Sequence, residues 1–282
     1  MNPDFSSSPT LSSSRRGGFT LIEVLVSSAI TLIVMSMLFT VLLGAMNAWQ
    51  LGTARLQTNA DARMALDILT QDLQSLVARQ TNPEAPQEWL VSDLVGIPGT
   101  SGLQSTHLLF FAPSVDREPG QDGDIVAISY RVGFQDPLAN SNDRRFWIFG
   151  LYKKMADTRT TFLDALGQTD IRGGFWNSRN TVRDRDLLIP NVVDFQVNWV
   201  IRTQNGTEIE EDGVVLRNRL FRPGGREGIR IEAADISLTI VSEEGARRIQ
   251  TLAAGGEINA DRLAPVIREH GRVFTQRVRI DY

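Results

Sequence analysis

One stretch near the N-terminus constrains this chain more than any other: Arg15-Arg16-Gly17-Gly18-Phe19-Thr20-Leu21-Ile22-Glu23-Val24-Leu25-Val26, with a long apolar run behind it. From Val24 to Ala54 there are 31 consecutive residues without Asp, Glu, Lys, Arg or His. About 20 apolar residues carry a helix across a hydrocarbon core of ~30 Å, so the run predicts a membrane-spanning helix with length to spare. A basic head and a diglycine precede it, and a single carboxylate, Glu23, stands at its start.

Simpler readings each leave part of this unexplained. A secretory signal peptide has an apolar core of about 7–15 residues closed by an Ala-x-Ala-like site; this run is far longer and no such site closes it. An ordinary anchor accounts for length and basic flank but not for a carboxylate in the span, which costs about 2.5–3.5 kcal/mol on insertion scales. Ser14-Arg15-Arg16 followed by Phe19 approaches a twin-arginine export signal, but the Phe falls one position late and the run is too long and too hydrophobic. Taken together, Gly18, Phe19 and Glu23 resemble the class III signal of the type IV pilin-like family: a Gly before the cut, then Phe-Thr-Leu-Ile-Glu. The resemblance covers residues 15 to 50 in detail. It implies that a prepilin peptidase on the cytoplasmic face cuts between Gly18 and Phe19 and methylates the new amine of Phe19, and that Glu23 later pairs with that amine on a neighbouring subunit. On this reading residues 1–18 are a leader, 19–50 a transmembrane helix, and 51–282 a periplasmic pilin-like domain that includes the second half of the helix.

Composition sets the outer bounds. With 282 residues, 42% of them hydrophobic, the chain can hold one anchor and one sizeable soluble domain. A net charge of −4 and a pI near 5.4 leave no general electrostatic footprint for nucleic acid. The absence of cysteine excludes disulfides, thiol catalysis and cysteine metal sites. Arg15 and Arg16 precede the span and the next cation is Arg55. The positive-inside tendency therefore leaves the leader in the cytoplasm and the bulk outside, as a single-pass inner-membrane protein with a periplasmic C-terminal domain.

Residues 1–14 are rich in Ser and Pro and cannot bury a core. From Phe19 the helix is apolar all round, with Ser27, Ser28, Thr31, Ser36 and Thr40 tolerable because hydroxyls bond carbonyls one turn back. Gly44 is a soft point and Trp49 an interfacial anchor. Beyond it the pattern becomes amphipathic: Leu66, Leu69, Leu73 and Leu76 fall on one face, with Arg63, Asp67, Asp72 and Arg79 elsewhere on the wheel. Pro83 and Pro86 end the helix. Strands are predicted at His107–Ala112, Asp124–Val132, Arg145–Lys153, Val192–Arg202, Gly213–Arg219, Ala234–Val241 and Phe274–Tyr282, rich in Val, Ile, Phe, Tyr or Trp. Glu243–Ala254 reads as a short helix, and Ala156 to Arg185 as a long irregular loop. The fold class is α+β, a long N-terminal transmembrane and amphipathic helix whose apolar face packs on an antiparallel β-sheet domain.

That order, with Leu69-Thr-Gln-Asp72-Leu73, Leu108-Leu-Phe-Phe111, Leu188-Ile-Pro-Asn-Val-Val-Asp-Phe195 and Ile236-Ser-Leu-Thr-Ile-Val241, resembles the J-type minor pseudopilins of type II secretion and the pilin-like proteins of the Verru_Chthon cassette. Signs of catalysis are absent. His107 and His270 lack ligand spacing, and there is no Gly-x-Ser-x-Gly elbow, P-loop or dinucleotide fingerprint. The acids Asp116, Glu118, Asp122 and Asp124 share one loop and could offer oxygens to calcium, but they lack the EF-hand pattern and read as solvated. No cofactor and no enzymatic activity are expected. The expected role is a structural minor pseudopilin of a secretion filament, with prepilin peptidase, other pilin or pseudopilin subunits and the inner membrane as partners and no nucleic acid. The alternatives are a minor pilin of a type IV pilus or competence system, and a membrane-tethered ligand-binding protein with the 156–185 stretch as a pocket rim.

Overall fold

The computed structural model describes residues 18, 20–77, 88–114, 123–137, 146–176, 184–202, 208–211, 214–217, 220–221 and 230–280. The chain parts into two compact units, the division falling between Thr53 and Ala54. Helix α1 (Leu21–Gln74) is continuous over 54 residues, unbroken at Gly44. In the first unit the described side chains of residues 21–50 are exposed, and Leu, Ile, Val, Met and Phe occupy every side of the cylinder. By length and composition this helix can cross a membrane. Its hydroxyls bond back as expected: Ser27 to the carbonyl of Val24 at 3.0 Å, Ser28 to Leu25 at 2.9 Å, Thr31 to Ser27 at 2.8 Å and Thr40 to Ser36 at 2.9 Å. The helix was expected to run on to about Arg79 and instead closes at Gln74; Arg79, Pro83, Pro86 and the Ser- and Pro-rich leader lie outside the described residues.

The second unit is α+β. Its strands are β1 (Glu88–Gly96), β2 (Thr100–Ser101), β3 (Gln104–Pro113), β4 (Ile125–Gln135), β5 (Ile148–Met155), β6 (Leu187–Pro190), β7 (Val192–Arg202), β8 (Glu208–Glu211), β9 (Val214–Arg217), β10 (Leu220–Phe221), β11 (Arg230–Val241), β12 (Ile258–Asn259) and β13 (Gly271–Arg279), with helices α2 (Thr158–Thr160), α3 (Glu243–Ala254) and α4 (Ala260–His270). They form a seven-stranded sheet in the order β10-β9-β1-β3-β4-β5-β6 and a four-stranded sheet in the order β13-β11-β7-β8, both antiparallel, and a short parallel pair, β12-β2. One antiparallel sheet was expected, and the described strands form two, besides the short parallel pair. The step between them is Asn191, whose left-handed backbone (φ 64°) is tolerated by Asn better than by most side chains. Its N–H donates to Phe149 in the first sheet at 2.7 Å, and its carbonyl accepts from Val241 in the second at 2.9 Å.

The sheets also meet where Ser105 and Thr106 of β3 face β7. The N–H groups of Phe195 and Val197 donate to the hydroxyls of Ser105 and Thr106, at 3.1 and 3.2 Å, and Ser105 donates back to the carbonyl of Phe195 at 2.9 Å. Two buried hydroxyls thus satisfy a length of strand edge that no described strand covers, at a place where orphaned backbone groups would be costly.

Against these strands packs the amphipathic part of α1. Ala62, Ala65, Leu66, Leu69, Leu73 and Leu76 are buried in the core with Phe110, Tyr130, Leu151, Phe195, Trp199 and Ile236. Asp72, expected on the solvent side, is instead drawn inward. Tyr130 donates to its carboxylate, and Lys153 pairs with it at 2.7 Å. Burial and the Asp72 carboxylate push the Tyr130 phenol far above its ordinary pKa, so it stays a donor. A further tie runs from Gln276 of β13 to Thr70 at 2.9 Å.

In the stretch from Ala156 to Arg185, residues 177–183 lie outside the described residues, and residues 156–176 are not the irregular loop that the composition suggested. Asp157 caps α2, accepting from the N–H of Thr160 at 2.7 Å, and π-helical turns follow at Thr161–Ala165 and Ile171–Trp176. Ile171, Phe175 and Trp176 are buried with the core, which anchors the segment as folded structure. The short elements β2, β6, β8, β10, β12 and α2 escaped the sequence reading, and so did two longer ones, β1 and α4. Strand β1 carries Glu88 and Asp93, which hide its apolar pattern. Helix α4 contains Pro265, a residue that ordinarily breaks helices; Asn259 caps its start, accepting from Arg262 N–H at 3.0 Å.

Candidate processing and assembly site

At the start of α1, Thr20 is the first residue that orders the helix. Its hydroxyl and carbonyl accept from the N–H of Glu23 at 3.3 and 3.1 Å, and its carbonyl also accepts from Val24 at 3.2 Å. Thr20-Leu21-Ile22-Glu23 therefore has the spacing of a capping box, Ser or Thr followed three residues on by Glu. The sequence reading missed this, although the pattern before an apolar run is legible from residues alone. It gives Glu23 a local use: a carboxylate in the first turn sits favourably at the positive end of the helix dipole. That use is worth only about 0.3–1 kcal/mol, less than the cost of placing the acid in a span. Glu23 is exposed, and its carboxylate has no partner among the described residues.

Gly18 is exposed, and a Cβ added there would meet no atom within 4 Å. Nothing in the packing of the described residues demands glycine at this junction. Phe19 lies outside the described residues, as do Asp116, Glu118 and Asp122; of that acidic loop only Asp124 is described, and it is exposed. Among the described residues no group of three or more His, Asp or Glu side chains is placed to hold a metal ion.

The two histidines are separated by the fold. His270 ends α4, and His107 is buried on β3. Register places Asp93 opposite His107 and Ser129 on the same face of the next strand, and the His107 Nε2 and Ser129 Oγ are 2.9 Å apart. A Ser–His–Asp set is therefore adjacent in space, which the sequence did not reveal. It is not a hydrolytic triad. Asp93 pairs with Arg172 from the turn above, and burial, then the cations of Arg131 and Arg172, hold the His107 pKa at about 4 instead of 6.5. A general base works best with a pKa near the operating pH. The pair is a neutral hydrogen bond between β3 and β4 in the sheet.

A pH dependence follows. Because the folded chain holds His107 below its unfolded value, the unfolded chain binds more protons between the two, so stability is complete above about pH 6.5 and falls towards pH 4. The loss is on the order of 3 kcal/mol. Thermal melts of the full chain in mild detergent at about pH 7 and pH 4.5 should show a larger drop for wild type than for His107→Gln. Equal drops would mean that His107 does not carry it.

Residues 13–39 match the family model for the prokaryotic N-terminal methylation motif, a match that takes in Gly18, Phe19 and Glu23. The match is confined to this opening segment and the start of α1. No curated protein matches the chain. Among solved structures a type IV-like pilin from Thermus thermophilus is 11% identical, with 79% of this chain and 96% of that chain covered at a TM-score of 0.34; a superposition that loose decides nothing about the strands.

Proposed function

We propose that this chain is the precursor of a structural minor subunit of a pilin-like filament, of the pseudopilin kind, held in the inner membrane by the first part of α1 with residues 51–282 in the periplasm, and that it is not an enzyme. The observation that carries the reading is the methylation-motif match over residues 13–39, lying on a helix whose first half buries nothing. Such a helix needs lipid or neighbouring apolar helices around it. The ligand-binding alternative loses its main support, since the segment offered as a pocket rim buries Ile171, Phe175 and Trp176. The pocket lined by Trp147, Ile148, Phe149, Asn191, Val241, Ala246 and Ile249 takes no residue from that segment.

The demand for Gly18 then comes from the enzyme that binds the junction. A glycine lets backbone approach closely where a side chain would collide. In cells carrying a prepilin peptidase the mature mass should begin at Phe19 with one added methyl group. Gly18→Val should insert into membranes at wild-type level and remain uncut. A wild-type chain that keeps Met1 in the membrane fraction would overturn the reading.

A further inference from the structure

We propose that the outer edge of β13 receives an extended acidic segment of a different subunit, which adds to the four-stranded sheet as a further antiparallel strand. The proposal deepens the filament reading and rests on it only for the partner being a neighbouring subunit. An open row of strand N–H and C=O groups is a template for another chain, and soluble proteins usually blunt it with short strands, bulges or proline. Strand β6, an edge of the seven-stranded sheet, is blunted in all three ways: it has four residues, its register with β5 shifts between Leu151 and Tyr152, and it ends in Pro190. Strand β13 has none of these devices. It is nine residues long, lacks proline, and pairs with β11 without a register shift from Ala233↔Arg279 to Val241↔Gly271, while no described strand pairs with its other side. Val273 is 63% exposed, and Arg272, Thr275, Arg277 and Arg279 are exposed beside it.

The chemistry of the partner follows from the charges on this edge. Arg277 is held within the sheet by Asp235, through contacts of 2.7 and 2.5 Å. Arg272 and Arg279, towards the two ends of the strand, have no ion-pair partner among the described residues. They stand seven positions apart, roughly 23 Å at ~3.3 Å per residue, and because that separation is odd their side chains leave opposite faces of the sheet. The segment that suits them carries one acid on each face at the same spacing. A slip of one residue carries both acids to the wrong face, so the charges fix the register as well as the partner. They also oppose self-association, since two copies of β13 side by side bring these arginines together and like charges across a contact repel. Main-chain hydrogen bonds supply the joint, as in other strand additions, and the acids choose which strand makes it. Such an edge joins the chain to one neighbour of a different kind, as a minor subunit requires.

The probe is a fluorescently labelled peptide matched to the nine residues of β13, Glu-Thr-Thr-Val-Thr-Val-Val-Glu-Thr, whose two Glu side chains fall opposite Arg279 and Arg272 in antiparallel register. Anisotropy with the full chain in mild detergent at low salt should show it binding about tenfold or more tightly than the same peptide with Lys in place of both Glu. Arg272→Glu with Arg279→Glu, both at exposed positions, should reverse that preference. Methylating the backbone nitrogens of alternate peptide residues tests strand pairing itself. Only one of the two alternate sets points at β13, so one methylated peptide should lose binding and the other keep it. No binding to a cooperatively melting chain, equal affinity for the Glu and Lys peptides, a preference that survives charge reversal, or two methylated peptides that behave alike would each overturn the proposal. So would dimers of Thr275→Cys linked by a short bismaleimide, the chain having no cysteine of its own, because the occupant would then be a second copy. The peptide test needs no filament, so its failure with a Phe19 terminus intact condemns the edge site alone, whereas an uncut Met1 terminus condemns the filament reading.

Discussion

A chain beginning at Thr53 is expected to be soluble, monomeric and folded, and one beginning after Arg79 to aggregate. The first cut falls at the division between the two compact units, Thr53 and Ala54, and removes the part of α1 in which no described side chain is buried. The second also removes Ala62, Ala65, Leu66, Leu69, Leu73 and Leu76, all buried in the core. Burying a leucine fully is worth about 1.5–3 kcal/mol, so four of them amount to roughly 6–12 kcal/mol. That equals the whole stability of an ordinary domain, about 5–15 kcal/mol. Losing Asp72 adds to the damage, since Tyr130 and Lys153 would be left without their shared acceptor. A donor stranded in that way costs about 1–3 kcal/mol. Size-exclusion chromatography and far-UV circular dichroism of the two chains decide the matter: a monomeric, cooperatively melting chain from residue 80 onward would show that the helix does not complete the core.

How far the residues alone disclosed this arrangement depends on how local each cause is. The apolar run, the leucine stripe and the strand Val192–Arg202 were legible because period and composition act within a few residues. Asp72 was misplaced because its neighbours on the wheel suggest solvent, while its partners Tyr130 and Lys153 come from strands far along the chain. Strand β1 was missed for the same reason: Glu88 is a poor strand signal until one sees its carboxylate accepting from the N–H of Ile171 at 2.9 Å. The His107 and Ser129 pair exists only through the register of β3 on β4. At the N-terminus the outcome reverses. Gly18, Phe19 and Glu23 lie within the 13–39 match to the methylation motif, a pattern spanning so few residues that it is legible without any fold; their processing is what the proposed function adds.

Glu23→Ala is expected to insert and to be cut after Gly18 as well as wild type, yet to fail in assembly. Removing a carboxylate from a span eases insertion, since its cost there is about 2.5–3.5 kcal/mol. In the single chain Glu23 is exposed among apolar residues, with no partner for its carboxylate among the described ones. Under the proposed filament function the partner would be the amine of Phe19 on a neighbouring subunit, a charge created only by cleavage. Breaking a pair buried in apolar surroundings costs about 3–5 kcal/mol, roughly a hundredfold or more in association. The capping spacing of Thr20 and Glu23 offers a competing account, in which Ala merely frays the first turn for about 1 kcal/mol. Glu23→Gln separates them, because Gln serves in a capping box as Glu does but cannot balance an ammonium. Under the pairing account both variants lose detergent-resistant complexes when co-expressed with partner subunits. Under the capping account the Glu23→Gln variant retains them. Wild-type complex levels from Glu23→Ala, with the Phe19 terminus confirmed by mass, would refute the pairing and leave the carboxylate with its helix-capping role alone.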